Sequence, residues 1–246
     1  MNLNLSGALN VFKLLTKPSL CLPHATVSTF NDIPVPLDKA FESHGKKVEI
    51  KAVVVDKDDC FAYPETNQIH PPYVVSCSSF SLCGLARFGS GVSDKTSVID
   101  PDAVFRSGSG NYKKEYPGRK LLIVSNTAGA MSYDRDGKLA TELEGTTGAV
   151  VLSHRDKKPG CKDEIMAYFQ KYPETGVTHP SQVAVVGDRL MTDMMLANMM
   201  GSWGLWVKDG VAPMNRKSIF AKFEYRLAAF LMARGVKAPG PKSPFE

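Results

Sequence analysis

Short runs of β-branched and apolar residues recur along this chain, and they constrain its fold more than any other feature. The runs are IKAVVVD (50–56), RKLLIVSN (119–126), TGAVVLS (147–153), QVAVVGD (182–188) and GLWVK (204–208). Such short, continuously apolar runs are typical of strands that are covered on both faces. The segments 158–172 and 190–201 have helical patterns. Buried strands that alternate with helices predict an α/β fold with a mostly parallel sheet flanked by helices.

Polar groups end three of the predicted strands. Asp56 and Asp58 follow the first strand, Ser125 ends the second, and Asp188 ends the fourth. Because the carboxyl ends of parallel strands share one edge, we expect these side chains to meet in one crevice. Crowded carboxylates are costly unless a cation neutralises them, and Mg²⁺ favours a site of few carboxylates completed by water and substrate phosphate.

Lys158 adds a positive charge to the predicted crevice. Pro159 follows it and is expected in the first turn of a helix, where its missing N–H costs little. The groups then suit phosphoryl transfer. One carboxylate can attack and form an aspartyl-phosphate, and a second can protonate the leaving oxygen and later activate water. A hydroxyl and a lysine can hold the phosphoryl oxygens.

The motifs DKDDC, VSNTAG, KKPG and GDRLMTD, in this order, resemble those of the haloacid dehalogenase (HAD) superfamily of phosphatases, which has a Rossmann-like fold. The resemblance implies that Asp56 is the nucleophile and Asp58 the general acid and base. The implied phosphate-binding residues are Ser125, Asn126 and Lys158. The implied ligands of Mg²⁺ are Asp56, the backbone carbonyl of Asp58, Asp188 and Asp193.

Neighbours of these motifs leave alternatives open. Lys157 competes with Lys158, and the following proline favours Lys158 by the resemblance. Asp59 is expected to be a helper or a surface residue. Arg189 is expected to contact either the substrate or a carboxylate, and Thr192 to help order the metal site. The five histidines show no ligand spacing, so structural or surface positions are expected for them.

Longer segments resemble the phosphatidylglycerophosphate phosphatases of fungal mitochondria. They are SGALNVFKLL (6–15), STFNDIPVPLD (28–38), IKAVVVDKDDCFAYP (50–64), YPGRKLLIVSNTAG (116–129) and VVGDRLMTDMMLANMMGSWGLWV (185–207). This resemblance implies hydrolysis of phosphatidylglycerophosphate to phosphatidylglycerol, a step toward cardiolipin. It also implies a peripheral position on the matrix side of the mitochondrial inner membrane. The expected partner is the anionic phospholipid substrate at the membrane surface; no nucleic acid is expected, and a homo-oligomer stays open.

The predicted phosphatase domain, residues 32–217, has distinctive flanks and one irregular stretch. Residues 1–31 are apolar and basic up to Asp32, which is typical of an amphipathic membrane-associating or targeting segment; a helix docked on the protein's own core is the alternative. Residues 218–246 contain a second amphipathic helix, for which packing on the sheet or on another subunit is the alternative to membrane contact. Residues 74–110 are rich in Ser and Gly and predict an irregular insertion.

Spacing and composition narrow the choice of function. Ser125 and Lys158 are too close in sequence for a large cap domain between them, so we expect a minimal or absent cap and an open crevice. The net charge of +5 fits an anionic partner. The five scattered cysteines argue against a disulfide framework or a zinc site. The rival functions are a phosphatase of a soluble phosphomonoester or nucleic-acid end, and a catalytically silent membrane-binding scaffold, which the intact motifs disfavour.

Overall fold

A computed structural model describes residues 12–45, 47–73, 105–107, 110–213 and 216–243. Its strands are β1 (Ala25–Val27), β2 (Ala52–Val55), β3 (Arg106–Ser107), β4 (Gly110–Asn111), β5 (Leu121–Ile123), β6 (Val150–Val151), β7 (Val183–Gly187) and β8 (Trp203–Val207). Six of them form a sheet in the order β1–β8–β7–β2–β5–β6, with every neighbouring pair parallel. Strands β3 and β4 form an antiparallel pair. The α/β, Rossmann-like arrangement predicted from the sequence is therefore confirmed.

Helices connect the strands. Residues 12–16 are helical and are called α1; the others are α2 (Tyr112–Glu115), α3 (Lys138–Thr147), α4 (Lys162–Lys171), α5 (Met195–Met200) and α6 (Ile219–Ala233). A π-helix covers Leu190–Met194. Short 3₁₀ helices cover Pro18–Cys21, Phe30–Asp32, Leu37–His44, Pro71–Tyr73, Gly118–Lys120, Pro173–Thr175 and Pro180–Gln182.

Alternate residues of the central strand β2 enter opposite layers of the core. Val53 and Val55 belong to one apolar cluster, whereas Ala52 and Val54 belong to a cluster on the other face of the sheet. Because side chains alternate along a strand, a strand covered on both faces needs an uninterrupted apolar run. The five residues of β7 are likewise all buried.

Helices cover both faces of the sheet. On one face, α4 buries Ile165 and Phe169. On the other, the helix Leu37–His44 and α3 bury Phe41 and Leu143. A third cluster, which includes Ala228, packs α6 beside the π-helix. The helices cover the two faces of the sheet, so the predicted crevice lies at the carboxyl edge of the strands.

Two predicted element bounds need correction. The strand predicted at 147–153 is reduced to β6, because α3 extends to Thr147 and accounts for its first residue. Helix α4 begins at Lys162, so Pro159 lies in a turn before the helix and not in its first turn. The N–H of Lys158 donates to Asn126 Oδ1 at 2.8 Å, which holds this turn against the end of β5.

The predicted flanking segments have different outcomes. Within residues 1–31, strand β1 pairs with β8 and Leu22 is buried, so this part of the segment contributes to the core. Residues 1–11 lie outside the described residues. Membrane association or targeting by the segment stays a prediction. Most of 74–110 also lies outside them, but Phe105 is fully buried. The helices of the described ranges include none that is long and apolar enough to cross a membrane.

Candidate active site

Three carboxylates and one lysine meet at the carboxyl edge of the sheet. Asp56 follows β2, where its N–H donates to Val186 O at 2.8 Å, and Asp188 follows β7. Asp193 comes from the π-helix. Each of the three offers an oxygen within 4.8 Å of the others. Lys158 Nζ lies 2.6 Å from both Asp56 Oδ1 and Asp193 Oδ1, so it bridges two of the three carboxylates.

Burial determines the protonation behaviour of this cluster. Loss of solvation raises the pKa of Asp56 to about 7, and the negative charge of Asp193 adds to the shift while Lys158 opposes it. Loss of solvation and the charge of Asp56 also raise the pKa of Asp188 well above its usual value. The three carboxylates thus place more negative charge in this buried cluster than Lys158 alone balances.

Local backbone geometry explains the glycine of GDRLMTD. A Cβ on Gly187 would lie 2.4 Å from the carboxyl group of Asp193, closer than any side chain could be tolerated. Asp193 is held there because its Oδ2 accepts the N–H of Arg189 at 3.1 Å. The glycine therefore lets the Asp193 carboxylate approach the end of β7.

The donor set fits a hard divalent cation. Asp188 Oδ1 is buried without a hydrogen-bond partner, and the nearest cation to this carboxylate, Lys217 Nζ, lies 3.9 Å from Oδ2. An unpartnered buried carboxylate oxygen beside two other carboxylates is costly unless a cation binds it. Among the described residues, Asp56, Asp188 and Asp193 can therefore hold a metal ion.

Asp58 lies in a different environment from Asp56. Its Oδ2 accepts the hydroxyls of Ser125 and Thr127, each at 2.8 Å, and its Oδ1 accepts Lys57 Nζ at 2.6 Å. Burial alone would raise the pKa of Asp58, but the Lys57 charge and these hydrogen bonds outweigh it and hold the pKa below its usual value. Asp56 and Asp58, which are separated by one residue, therefore have pKa values shifted in opposite directions.

The predicted phosphate-binding residues lie beside these carboxylates. Ser125 lies two residues after β5 and donates its hydroxyl to Asp58, while Asn126 Oδ1 accepts the backbone N–H of Lys158. Buried His154 contacts the carbonyl of Ser125 at 2.9 Å, which is the structural kind of position expected for the histidines. Lys158, and not the partly exposed Lys157, has the buried bridging position.

Several residues around the site were not singled out from the sequence. Lys57 and Thr127 hold Asp58, and Lys217 contacts Asp59 Oδ2 at 2.5 Å. Asp59 Oδ1 also accepts the N–H of Val211 at 3.0 Å, so Asp59 anchors the segment after β8. Lys57 and Thr127 lie inside the motifs DKDDC and VSNTAG but had no role assigned to them, and Lys217 is distant in sequence from Asp59.

Arg189 forms a salt bridge, which is one of the two contacts expected for it; contact with the substrate stays a prediction. Its guanidinium donates to Glu224 of α6 at 2.8 and 3.2 Å, and the N–H of Leu190 donates to the same carboxylate at 3.0 Å. Arg189 also lines a cavity of about 430 Å³ over the site, together with Asp56, Asp58, Lys158 and Asp188. The cavity wall therefore joins the predicted catalytic residues to the start of α6.

Comparison with known proteins identifies the family. The sequence model described as mitochondrial PGP phosphatase matches residues 5–212. The chain belongs to this family. It is 40% identical over 229 residues to the Saccharomyces cerevisiae protein named phosphatidylglycerophosphatase GEP4, mitochondrial, covering 93% of this chain and 99% of that protein.

Two further relatives of this mitochondrial PGP phosphatase family member are more distant. A Schizosaccharomyces pombe protein named probable phosphatidylglycerophosphatase, mitochondrial, is 28% identical over 212 residues, 86% of this chain and 85% of that protein. An Arabidopsis thaliana protein named phosphatidylglycerophosphate phosphatase 1, chloroplastic/mitochondrial, is 28% identical over 201 residues, 81% of this chain and 44% of that protein. No solved structure matches the chain. The family resemblance and the enzyme class predicted from the sequence are confirmed.

Proposed function

We propose that this chain hydrolyses phosphatidylglycerophosphate to phosphatidylglycerol through an aspartyl-phosphate on Asp56, with Mg²⁺ as cofactor. The observation that carries the proposal is the buried cluster of Asp56, Asp188 and Asp193 bridged by Lys158 at the carboxyl edge of the sheet. The family supplies the substrate class, because its curated relatives are named for this lipid.

In the first step, an oxygen of Asp56 attacks the terminal phosphorus. The bond from phosphorus to the glycerol oxygen breaks, and that oxygen takes a proton from Asp58. Asp56 is oriented for attack because its Oδ1 accepts both the Lys57 backbone N–H at 2.7 Å and Lys158 Nζ at 2.6 Å. Lys158 and the hydroxyl of Ser125 hold the transferred group, with Asn126 beside them.

Asp58 must bind a proton before it can donate one. Its carboxylate now accepts hydroxyl hydrogen bonds from Ser125 and Thr127. A bound phosphoryl group competes for these hydroxyls and brings negative charge, and both effects raise the pKa of Asp58. In the second step, Asp58 takes a proton from water, the water oxygen attacks phosphorus, and the bond to Asp56 breaks to release phosphate.

The ligands proposed for Mg²⁺ are the carboxylates of Asp56, Asp188 and Asp193 and the backbone carbonyl of Asp58. When bound, the cation screens the nucleophile from the negative charge of the phosphate and stabilises charge on the phosphoryl oxygens. Thr192, which lines the cavity near Asp193, is proposed to help order this site.

The setting we propose is the matrix side of the mitochondrial inner membrane, where the protein binds peripherally to its anionic lipid substrate. The expected minimal cap supports this setting, because a small soluble phosphate gains little binding energy from a site that does not enclose it. We keep the division into an N-terminal segment (1–31), a phosphatase domain (32–217) and a C-terminal helix and tail (218–246) as part of the proposal. A soluble phosphomonoester or a nucleic-acid end is the rival substrate.

A phosphate-release panel tests the proposal. Purified protein is assayed with Mg²⁺ on phosphatidylglycerophosphate in mixed micelles, glycerol 3-phosphate, a nucleotide and a 5′-phosphorylated oligonucleotide. We expect the highest kcat/KM on the lipid. Asp56→Asn should lose at least about 10⁴-fold in kcat, the scale on which removal of a nucleophile acts, while its melting curve stays cooperative. Near-wild-type turnover by a folded Asp56→Asn protein, or a higher kcat/KM on a soluble substrate, would refute it.

A further inference from the structure

Helix α6 has two unlike faces. Its inner face buries Ala221, Glu224, Ala228 and Leu231. Its opposite face exposes large apolar side chains, namely Ile219 (84% exposed), Phe220 (77%), Phe223 (56%) and Phe230 (51%). At about 100° per residue these four fall on one side of the helix. We call these four residues the outer stripe; a contiguous stripe of this kind marks an interaction surface more often than scattered apolar residues do.

The outer stripe is held outward by polar contacts on the inner face. The buried carboxylate of Glu224 accepts the guanidinium of Arg189 and the N–H of Leu190. At the start of the helix, Ser218 Oγ accepts the N–H of Ala221 at 3.1 Å. Because rotation of α6 would break this ion pair, the pair opposes any turn of the apolar side chains onto the protein's own core.

The stripe begins at the rim of the active-site cavity. Lys217, Ser218 and Ala221 line the cavity, and Ile219 and Phe220 lie between them in sequence. Most of the described residues that line the cavity are charged or polar, so the cavity suits a phosphorylated headgroup better than acyl chains. The first turn of α6 therefore places an apolar surface beside a bound headgroup.

Positive charges flank the outer stripe. Arg226 and Arg234 lie on the same side of the helix, and the Arg234 guanidinium sits 4.2 Å from the centre of the Phe230 ring. Lys222 lies at the flank, one turn along from Ser218. Aromatic rings bordered by basic side chains are typical of helices that lie in the interface of an anionic bilayer.

The geometry points to α6 as the element that docks the protein on a bilayer of anionic phospholipids. The outer stripe enters the boundary between headgroups and acyl chains, the basic side chains meet lipid phosphates, and the cavity mouth is brought to headgroup level. The choice of a bilayer as occupant rests on the proposed function, because the acyl chains of a phospholipid substrate stay in the membrane while its headgroup enters the cavity.

The test uses the full chain and the triple variant Phe220→Ser/Phe223→Ser/Phe230→Ser. These side chains are exposed and do not line the cavity, so we expect an unchanged melting temperature and unchanged turnover of glycerol 3-phosphate. On vesicles of phosphatidylcholine and phosphatidylglycerol at low salt, we expect at least about tenfold weaker binding, because three apolar side chains no longer leave water. The kcat/KM on vesicle-borne phosphatidylglycerophosphate should fall by a similar factor. Met232→Ser, on α6 but off the stripe, is the matched control and should bind like wild type.

Two results would overturn the docking role. One is unchanged vesicle binding by the triple variant. The other is a shift of the triple variant from dimer to monomer in gel filtration with vesicle binding intact, which would assign the stripe to a second copy of the chain. Asp56→Asn separates this inference from the proposed function, since it should bind vesicles fully while releasing no phosphate. Vesicle binding by a wild-type protein that hydrolyses only soluble esters would refute the proposed substrate and leave the docking surface standing.

Discussion

At the scale of single residues, the site accumulates negative charge that the protein alone does not balance. Asp56 and Asp193 share the ammonium group of Lys158, whereas Asp188 has one buried oxygen without a partner. Proteins tolerate such local costs where function requires them. The proposed cation should therefore also stabilise the fold, because it would bind the folded chain and not the unfolded one.

Asp188→Asn separates the effect of the cation on catalysis from its effect on stability. In excess EDTA the variant should be more stable than wild type, by about 1–3 kcal/mol, because it removes an uncompensated buried charge. Addition of Mg²⁺ should raise the melting temperature of wild type but not of the variant, and should restore phosphate release only to wild type. Ca²⁺ should restore wild-type activity poorly, because its coordination is looser.

Asp134→Asn is the matched control for this comparison. Asp134 is also buried, but its carboxylate accepts backbone N–H groups of Gly129, Leu139 and Ala140 away from the cluster. This variant should lose stability and keep its response to Mg²⁺. Full activity of wild type in excess EDTA, or an unaltered Mg²⁺ response of Asp188→Asn, would contradict the metal assignment.

His24 predicts a pH dependence of stability away from the site. Its Nδ1 accepts the N–H of Gly204 at 2.9 Å and its Nε2 contacts Pro239 O at 3.0 Å. Burial lowers the pKa of His24 to about 4, below the 6.5 of an exposed histidine. The unfolded chain therefore binds the extra proton, and the stability is present above pH 6.5 and lost as the pH falls toward 4. His24 alone should lower the free energy of unfolding by about 2 kcal/mol between pH 7 and pH 5.

Urea unfolding at the two pH values measures this contribution. His24→Gln cannot titrate, so its free energy of unfolding should change by about 2 kcal/mol less over the same interval. The variant is expected to be less stable than wild type at pH 7, because glutamine does not reproduce both ring contacts. An equal loss in both proteins on acidification would show that His24 is not the responsible group.

The sequence predicted the residues that meet at the site better than it predicted their partners. Asp56, Ser125 and Asp188 follow strand ends, so the sheet topology brings them together, whereas Lys158 was found only through its motif and is held by a turn. The contact between Arg189 and Glu224 joins residues that are far apart in sequence, and no local pattern reports it. The catalytic roles assigned to these residues stay predictions.

At the scale of elements, α6 supports the segment that carries Asp188 and Asp193. Glu224 is buried, and it holds both the side chain of Arg189 and the N–H of Leu190. Arg189 in turn donates its N–H to Asp193. Removal of the α6 contact is therefore expected to affect both the stability of the protein and the position of Asp193.

Glu224→Ala measures this support. Breaking a buried ion pair costs about 3–5 kcal/mol, and we expect about 2–4 kcal/mol here, because the Arg189 side chain is 36% exposed and regains some hydration. The kcat on glycerol 3-phosphate should fall together with stability. Arg226→Ala, on the exposed side of α6, should change neither. A Glu224→Ala protein with wild-type stability and kcat would show that α6 does not position the site.

Elements with a long apolar run were predicted well, and short or polar ones were not. β7 and β8 lie within or next to their predicted ranges, whereas Ala25–Val27 offers three residues of mixed polarity and was not recognised as a strand. Pairing with β8, and not its own propensity, makes this segment a strand. Helix α3 was missed for a related reason, because only Leu143 and Thr147 of its ten residues are buried.

At the scale of the whole molecule, the alternation of strands and helices predicted the parallel sheet but not the order of its strands. That order depends on which crossover each connection makes, and the apolar runs do not record it. In the observed order, β1 is an edge strand that pairs with β8. This pairing makes a segment near the N-terminus part of the same sheet that positions Asp56 and Asp188.

Deletion of residues 1–27 tests this dependence on the N-terminal segment. The deletion exposes the edge of β8 and removes the buried side chains of Cys21 and Leu22. It also removes the carbonyls of Leu20 and Leu22, to which Asn198 donates at 2.7 and 2.8 Å. Loss of one buried leucine costs about 2–5 kcal/mol, and a whole domain is stable by only about 5–15 kcal/mol. The shortened chain should therefore show no cooperative melting transition.

Deletion of residues 1–11 is the control, because it leaves every described contact in place, and it should melt like the full chain. A cooperative transition of the 1–27 deletion within a few degrees of wild type would contradict the structural role of β1. The two expected melting results also restrict where a targeting signal within residues 1–31 can end. Any targeting signal that is cleaved from this chain has to end before Pro18, because the residues from there to Val27 contact β8 and α5, and the folded enzyme needs them.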